Sequence, residues 1–495
     1  MNNYKTFGLN DLETVIGIEV HAELSTRTKI FCGCSTAFGG EANSKVCPVC
    51  TGQPGSLPML NEAVVECAVK LGLVLGCKIN RNSVFDRKNY FYPDLPKAYQ
   101  ISQLYFPICT EGKLEIEVDG KEKSVGIREI HIEEDAGKLV HATNGGGTTH
   151  IDYNRAGVPL LEIVTKPDFR NANEVIAFTE RIRETMLYLE ICDGKMQEGS
   201  LRVDVNLSIR EPGNELGTRT ETKNLNSLKA ISHAIEYERE RQWEIIRKGG
   251  RVKQETRRWD EEKNTSFPMR NKENAQDYRY FPEPDLKPLE IPDEWMSKIQ
   301  AGIPELAPER RERYMREYGI SSSLADVICG SKNLANIFED LVRKSGEPIE
   351  AANLITGELM RFINNSDTDM EKIKVDADKL VFLISLVVNG IINRSVYKET
   401  VAEVFAANVD PEKYIAEKGL LAVSDDEVII AAVNEIILNN NESVDDYNAG
   451  REKVFAFLMG QVMKNLGGKG NPALVKEALL KKLNKLKVQE EEPDA

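Results

Sequence analysis

Polar and apolar residues alternate along several stretches of the first 290 residues, and this period of two predicts β-strands. The clearest alternating stretches are rich in β-branched residues and lie at 15–21, 113–118, 125–133, 150–153 and 201–209. Two segments instead space their apolar residues three and four positions apart, which predicts helices over 172–189 and 227–248. Asn226 or Ser227 is placed to cap the second helix. The mixture predicts an α+β region with a mainly antiparallel sheet.

The pattern changes near residue 290, where five prolines punctuate a linker-like stretch from Pro284 to Pro308. Beyond it, helical periodicity predicts helices at 332–344, 348–364, 376–406 with a break near Gly390, 425–439, 446–466 and 471–486. A turn-rich join at 408–411 separates two helical modules. The sequence therefore predicts an α+β domain followed by all-helical domains.

Length and composition limit the class of protein. A chain of 495 residues is long enough for two to four domains. The longest apolar run, 380–392, is interrupted by Ser385, Asn389 and Gly390 and falls short of a membrane span, so we interpret it as a core helix. Residues 1–14 lack the layout of a signal peptide, and nine cysteines, an odd number, fit a reducing compartment. We expect a cytoplasmic protein without a membrane segment.

The net charge of −15 argues against a broad surface that binds polyanions. The segment 461–488 is different, because it holds seven lysines and a single acid, Glu477. Charge alone leaves two readings open, a solvated helix face or a module that contacts an RNA backbone.

Four cysteines form a sharp local signal: Cys32 and Cys34 in a C-x-C turn, then Cys47 and Cys50 in a C-x-x-C turn. Two such turns aim four thiolates at one point, as a closed tetrahedral zinc site requires. The alternatives are free thiols or disulfides, and nothing else in the chain points to secretion. A site with four cysteine ligands has no open position, so this zinc is predicted to be structural.

Acidic residues recur in three predicted strands. Glu19 and His21 share one face of the first strand. The segment 128–135 ends in Glu133, Glu134 and Asp135, and 201–208 places Arg202, Asp204, Asn206 and Ser208 on one face. Each segment alone is explained by a solvated edge, whereas three together favour an oxygen-rich Mg²⁺ site.

The segment 86–100 is rich in aromatic residues, lysines and prolines, and Lys88 and Tyr90 are suited to phosphate binding and base stacking. A packed loop explains it equally well. The chain has no P-loop, dinucleotide-binding fingerprint, nucleophile elbow or H-E-x-x-H motif. Three classes stay open: a Mg²⁺-dependent phosphoryl-transfer enzyme, a zinc-containing RNA-binding factor, or a structural subunit of an assembly.

Several longer motifs are more specific than these patterns. They comprise the four cysteines and the segments 15–24, 89–97, 132–138, 153–163 and 277–284. In this order, and over nearly the whole chain, the sequence resembles the B subunits of the heterotrimeric tRNA-dependent amidotransferase (GatB). The resemblance implies a catalytic cradle domain at 10–292, a helical domain at 293–408 and a helical tail domain at 409–488, the tail binding tRNA.

The resemblance also implies a reaction. ATP phosphorylates the side-chain carboxylate of Glu-tRNA(Gln), Asp-tRNA(Asn) or both, and ammonia displaces the phosphate to give the amide. Such an enzyme is a glutamine-hydrolysing carbon–nitrogen ligase. An amidase (glutaminase) A subunit supplies the ammonia, and a small C subunit completes the heterotrimer. The alternative is a noncatalytic scaffold subunit that only binds tRNA.

Site residues follow from the family motifs that they match. The resemblance implies Glu19, His21 and Glu134 as the magnesium-binding and catalytic core. It prefers Glu134 to Glu133 by motif position, since strand alternation does not tell which of the two faces Glu19. Three further residues are expected to contact substrate or phosphate, namely Lys88, Tyr90 and Asp204. The expected cofactors are ATP, Mg²⁺ and a structural Zn²⁺ held by Cys32, Cys34, Cys47 and Cys50.

Overall fold

The structure is a computed structural model that describes residues 8–141, 148–269, 278–366, 368–421, 426–451 and 453–491. The chain forms two compact units, Met1–Leu306 and Ala307–Ala495. Two predicted segments begin on residues outside the described parts, Asp277 and Asp425.

The first unit contains the strands. They are β1 (Glu13–Glu23), β2 (Lys78–Ile79), β3 (Asn82–Ser83), β4 (Asp86–Asn89), β5 (Tyr99–Ser102), β6 (Cys109–Val118), β7 (Lys121–Glu134), β8 (Lys138–His141), β9 (Thr149–Asp152), β10 (Pro159–Thr165), β11 (Leu201–Arg210), β12 (Thr220–Leu225), β13 (Thr256–Asp260), β14 (Thr265–Pro268), β15 (Phe281–Pro282) and β16 (Leu289–Glu290).

Nine of these strands form one sheet in the order β14-β13-β12-β11-β1-β10-β7-β6-β2. Every pairing in it is antiparallel except that of β12 with β13. The first strand of the chain therefore lies in the middle of the sheet. The predicted α+β class with a mainly antiparallel sheet is confirmed.

The described part of the first unit also has a 3₁₀-helix (Leu9–Asp11) and four α-helices: α1 (Glu62–Val74), α2 (Ala172–Tyr188), α3 (Leu228–Arg247) and α4 (Asp293–Ala301). Apolar side chains of all four join one core with the inward-facing residues of the sheet, such as Ile18 and Val20 of β1. Because side chains alternate along a strand, the opposite face of the same strands carries their polar residues. Ser227 caps α3, its hydroxyl accepting from the Ala230 N–H.

The second unit is helical. Its helices are α5 (Ala307–Tyr318), α6 (Ser322–Cys329), α7 (Lys332–Ser345), α8 (Pro348–Asn353), a π-helix (Leu354–Leu359), α9 (Met360–Ser366), α10 (Ala377–Val388), α11 (Arg394–Ala407), α12 (Pro411–Glu417), α13 (Asp426–Asn439), α14 (Asn441–Asn448), α15 (Lys453–Asn465) and α16 (Pro472–Glu491). Among the described residues, no helix is both long and apolar enough to cross a membrane.

Most predicted segments are confirmed, including the break near Gly390, where α10 ends and α11 begins after a turn. One prediction is wrong: 446–466 is not a single helix, because α14 ends at Asn448 and Gly450 adopts a left-handed φ of 90° before α15. The boundary between the compact units falls after Leu306, so α4 packs with the first unit. The division into three domains stays a prediction.

Candidate functional site

The polar face of the central strands brings together residues that are far apart in sequence. In the antiparallel register, His21 of β1 lies opposite Glu162 of β10 on one side and Arg202 of β11 on the other. Glu19 lies opposite Asp204. Residues directly opposite in such a ladder share a face at close distance, so the sheet itself assembles the cluster.

A cavity of ≈ 550 Å³ opens over this face. Its polar and aromatic lining includes Glu19, His21, Lys88, Tyr90, Glu133, Glu162, Asn206, Glu221, Lys223 and Tyr278. Four of the six residues predicted for catalysis or substrate binding thus line one cavity. Asp204 is not among these lining residues, but its carboxylate lies next to that of Glu19. Glu134 does not line this cavity.

Two groups of side chains in this region are placed to hold a cation. Ligand atoms of Glu19, His21 and Glu162 lie within 4.8 Å of one another, and so do those of Glu19, Asp204 and Glu221. Glu19 belongs to both groups. Carboxylate oxygens dominate both sets, and hard divalent cations such as Mg²⁺ prefer oxygen ligands.

The electrostatics of Glu19 fit such a role. Burial and the nearby carboxylate of Glu162 raise the pKa of Glu19 to about 7. The Asn206 side-chain amide donates to Glu19 Oε1 at 3.0 Å and orients the carboxylate. A buried carboxyl surrounded by other acids is stabilised by a bound cation, which makes this donor set suited to Mg²⁺.

Lys223 balances part of the negative charge. Its ammonium lies 2.7 Å from Asp204 Oδ2 and 2.6 Å from Glu221 Oε1. Burial alone would raise the pKa of Asp204, but Lys223 and His21 hold it below its usual value. Asp204 is therefore an ionised carboxylate beside Glu19.

Lys88 and Tyr90 also line the cavity. The Lys88 ammonium lies 5.1 Å from the centre of the Tyr278 ring and 5.9 Å from that of Tyr90. Burial would lower the pKa of Lys88, but Tyr280 and Glu133 raise it above its usual value. The ammonium is charged and is placed among aromatic rings that line the same space.

Glu133 and Glu134 point to opposite faces of β7. Glu133 Oε1 lies 3.8 Å from His21 Nε2, at nearly the same distance as Glu162 Oε1, which is 3.9 Å away. Glu134 Oε1 instead lies 2.5 Å from Lys97 Nζ and accepts the Ile101 N–H at 2.9 Å. The structure therefore does not bring Glu134 together with Glu19 and His21; of the two neighbours, Glu133 faces His21.

Glu134 borders a second, smaller cavity of ≈ 110 Å³ next to the cysteine loop. The four sulfur atoms of Cys32, Cys34, Cys47 and Cys50 lie within 4.8 Å of one another. The Cys47 and Cys50 sulfurs are 3.9 Å apart, close to the roughly 3.8 Å that Zn–S bonds of ~2.3 Å impose on a tetrahedron. The geometry of the four thiols fits zinc.

Sequence reasoning missed Glu162 as a site residue, together with its strand β10. The signal was present, because Glu162 is a single acid in the apolar run Pro159–Thr165. A lone charge in a buried strand needs a partner. Glu221 and Lys223 alternate with threonines in the polar segment 219–224. The register of β12 with β11 places Glu221 opposite Asn206.

Two family models match the chain. Residues 14–297 match the GatB/GatE catalytic domain, and residues 336–483 match the GatB domain. The first match contains every candidate residue of the cavity and of the cysteine loop.

Curated relatives are similar over nearly the full length. The chain is 55% identical over 474 residues to the B subunit of the aspartyl/glutamyl-tRNA(Asn/Gln) amidotransferase of Lachnoclostridium phytofermentans, covering 96% of this chain and 99% of the relative. It is 52% identical over 476 residues to the B subunit of the same enzyme from Agathobacter rectalis, covering 96% and 100%. The corresponding protein of Caldicellulosiruptor bescii is 51% identical over 480 residues.

Proposed function

The chain belongs to the GatB family of tRNA-dependent amidotransferase subunits, and from this membership we propose that it carries the ATP-dependent step of that reaction. Its substrates are Glu-tRNA(Gln), Asp-tRNA(Asn) or both. The observation that supports the proposal is the pair of acidic groups that share Glu19 on the floor of one cavity. Phosphoryl transfer depends on charge neutralisation and positioning, and this cavity offers both.

The reaction has two steps. An oxygen of the aminoacyl side-chain carboxylate attacks the γ-phosphorus of ATP, the bond to ADP breaks, and an acyl phosphate forms. Ammonia then attacks the acyl carbon, phosphate leaves, and the side-chain amide remains. Phosphorylation is needed because a free carboxylate is a poor electrophile with no leaving group.

The cavity residues take complementary parts. Glu19, His21 and Glu162, with Asp204 and Glu221, would hold Mg²⁺, which when bound supplies positive charge to the transferred phosphoryl group. Lys88 binds phosphate oxygens, and Tyr90 with Tyr278 forms an aromatic wall for the substrate. Lys223 keeps Asp204 ionised and in place.

We still propose that amidation depends on Glu134, although its carboxylate lies beside Lys97 and not beside Glu19 and His21. Lys97, rather than the cavity, supplies the positive charge beside its carboxylate. The four cysteines would hold a structural Zn²⁺ that fixes the loop after β1, at the end of the strand that carries Glu19 and His21.

We further propose partners of the kind the relatives' names imply. As a B subunit, the chain assembles with an amidase A subunit that releases ammonia from glutamine and with a small C subunit. The lysine-rich segment 461–488, most of which forms α15 and α16, contacts the tRNA backbone. The cytoplasm, where aminoacyl-tRNAs are made and used, is the proposed location.

The test is the reconstituted three-subunit assembly with His21→Ala. We expect both tRNA-dependent ADP formation and amidation to fall by about 100-fold or more, while glutamine hydrolysis by the partner subunit persists. His233→Ala is the matched control, because His233 is an exposed histidine of α3 that bonds Asn264. Near-normal ADP formation in His21→Ala, with tRNA still bound, would instead indicate the noncatalytic scaffold.

A further inference from the structure

Lys29 is a buried cation next to the cysteine loop that the proposed reaction does not use. Its side chain has 0% exposure. Within the described part of the chain, its ammonium has two polar neighbours, Cys50 Sγ at 3.6 Å and the Tyr153 carbonyl at 3.4 Å. A buried ammonium is strongly unfavourable unless negative charge stands beside it. Here a sulfur atom occupies the position where a carboxylate is usual.

The backbone of Lys29 is attached to the other cysteine turn. Its N–H donates to the Cys34 carbonyl at 2.9 Å, while its side chain reaches Cys50. Lys29 thus connects the C-x-C turn with the C-x-x-C turn. Gly157 packs against both residues and adopts a left-handed φ of 82°, a backbone conformation that favours glycine.

Cys50 differs from the other three cysteines. It is the buried member of the four, and its sulfur also accepts the Cys47 N–H at 3.2 Å. Four thiolates around one Zn²⁺ carry a formal charge of about −2. Two N–H donors on the most buried sulfur, one of them cationic, offset part of that charge.

We propose that Lys29 is a positioning residue of the zinc site, whose ammonium neutralises part of the tetrathiolate charge and holds the two cysteine turns together through Cys50. The inference rests on the proposed zinc site and goes beyond it, because it assigns a charge partner outside the four ligands. Outer-sphere partners of this kind typically change metal affinity by about 10–100-fold.

The test compares Lys29→Met with Lys45→Met in the full-length chain. Lys45 lies in the same loop between the two turns, but its ammonium bonds the carbonyls of Ala37 and Gly39 rather than sulfur. Zinc content and the rate of zinc loss to a chelator are measured for each. We expect Lys29→Met to lose zinc about 10-fold faster than the unaltered protein, and Lys45→Met to remain within about 2-fold of it.

A spectroscopic readout separates charge from mere loosening of the loop. In the cobalt-substituted protein, the thiolate-to-Co²⁺ charge-transfer band is expected to move to lower energy in Lys29→Met, since sulfur lone pairs lose a stabilising positive charge. Lys29→Gln, which keeps a donor of similar reach without the charge, provides the same comparison if Lys29→Met does not fold.

The outcomes are distinct. An unaltered protein that binds no stoichiometric zinc refutes the zinc site itself. Zinc bound normally, with unchanged loss rate and an unchanged cobalt band in the Lys29 variants, overturns the role of Lys29 alone. Neither outcome bears on the ATP-dependent activity, which is not measured in this experiment.

Discussion

Glu133 and Glu134 are adjacent in sequence, yet they serve two different surroundings. Glu133 faces the large cavity with His21, whereas Glu134 faces the small cavity beside the cysteines and pairs with Lys97. The cause is the two-residue period of β7, which sends neighbouring side chains to opposite faces of the sheet. Two consecutive residues thus belong to two different sites, the large acidic cavity and the small cavity beside the four cysteines.

The two surroundings also differ in how charge is balanced. Burial and the Glu162 carboxylate raise the pKa of Glu133 in the large cavity, and Lys88 and His21 offset only part of this shift. Beside Glu134, the Lys97 ammonium is already in place. This difference fits the proposal that the large cavity binds a divalent cation, whereas the Glu134 carboxylate has its positive charge within the chain.

The largest effect is expected from Glu19→Gln, because Glu19 is shared by both cation-binding groups. We expect tRNA-dependent ADP formation by the assembled enzyme to fall about 10³-fold, equivalent to about 4 kcal/mol. The zinc content of Glu19→Gln should not change, since Glu19 is not one of the residues grouped with the four cysteines. ADP formation within a few fold of normal would show that Glu19 holds no catalytic cation.

A sharper test exchanges each neighbour in turn, Glu133→Gln and Glu134→Gln. Because Glu133 faces His21, we expect Glu133→Gln to lower ADP formation by about 10–100-fold and Glu134→Gln to lower it far less. Overall amidation should fall in both variants. Equal loss of ADP formation in the two variants would contradict the assignment of Glu133 and Glu134 to different sites and would indicate that Glu134 also acts in the large cavity.

Loss of a cysteine should act on stability before activity. Cys47→Ser is expected to remove stoichiometric zinc and to lower the free energy of unfolding of the first unit by about 2 kcal/mol, measured by metal analysis and by chemical denaturation. Cys67→Ser is the control, because Cys67 lies on α1 outside the four. Retention of zinc by Cys47→Ser would argue against the tetrathiolate.

The smallest effect concerns Glu23, at the end of β1. Burial and Asp135 raise the pKa of Glu23 to about 8, from an ordinary value of 4.5. Between these two values the folded chain binds more protons than the unfolded chain, so the free energy of unfolding declines as pH rises through this interval. Glu23→Gln removes the titrating group.

The comparison of denaturant midpoints at pH 5 and pH 8.5 tests this sign. We expect the unaltered protein to lose more free energy of unfolding than Glu23→Gln across that interval, because only the unaltered folded chain releases the Glu23 proton there. Parallel declines in the two proteins would show that another group dominates the pH dependence of the acidic face.

Much of the fold could be predicted from local patterns. Alternation located β1, β7 and β11, and helical spacing located α2, α3 and most of the second unit. In these elements, apolar residues recur with the period of the strand or helix itself, so a short window of sequence is enough to predict each element. Short edge strands such as β2 and β15 hold only two residues each and leave no such pattern.

The candidate site was predictable only in part. Glu19 and His21 share a strand, so alternation fixes their common face, and β11 orders Asp204 and Asn206 in the same way. Which face of β7 meets that cluster depends on the register between β7 and β10, and pairing across strands is not written in either segment alone. Position in the family motif favoured Glu134, whereas the structure places Glu133 beside His21.

The central place of β1 has a consequence for synthesis on the ribosome. Residues 13–23 emerge first, but their two neighbours in the sheet are residues 159–165 and 201–210. The nascent strand therefore has no partner in this sheet until about 140 residues have followed it, and its second neighbour is complete only after about 190. The four cysteines lie between residues 32 and 50, so metal capture there would fix the loop after β1 before either neighbour of β1 has been made.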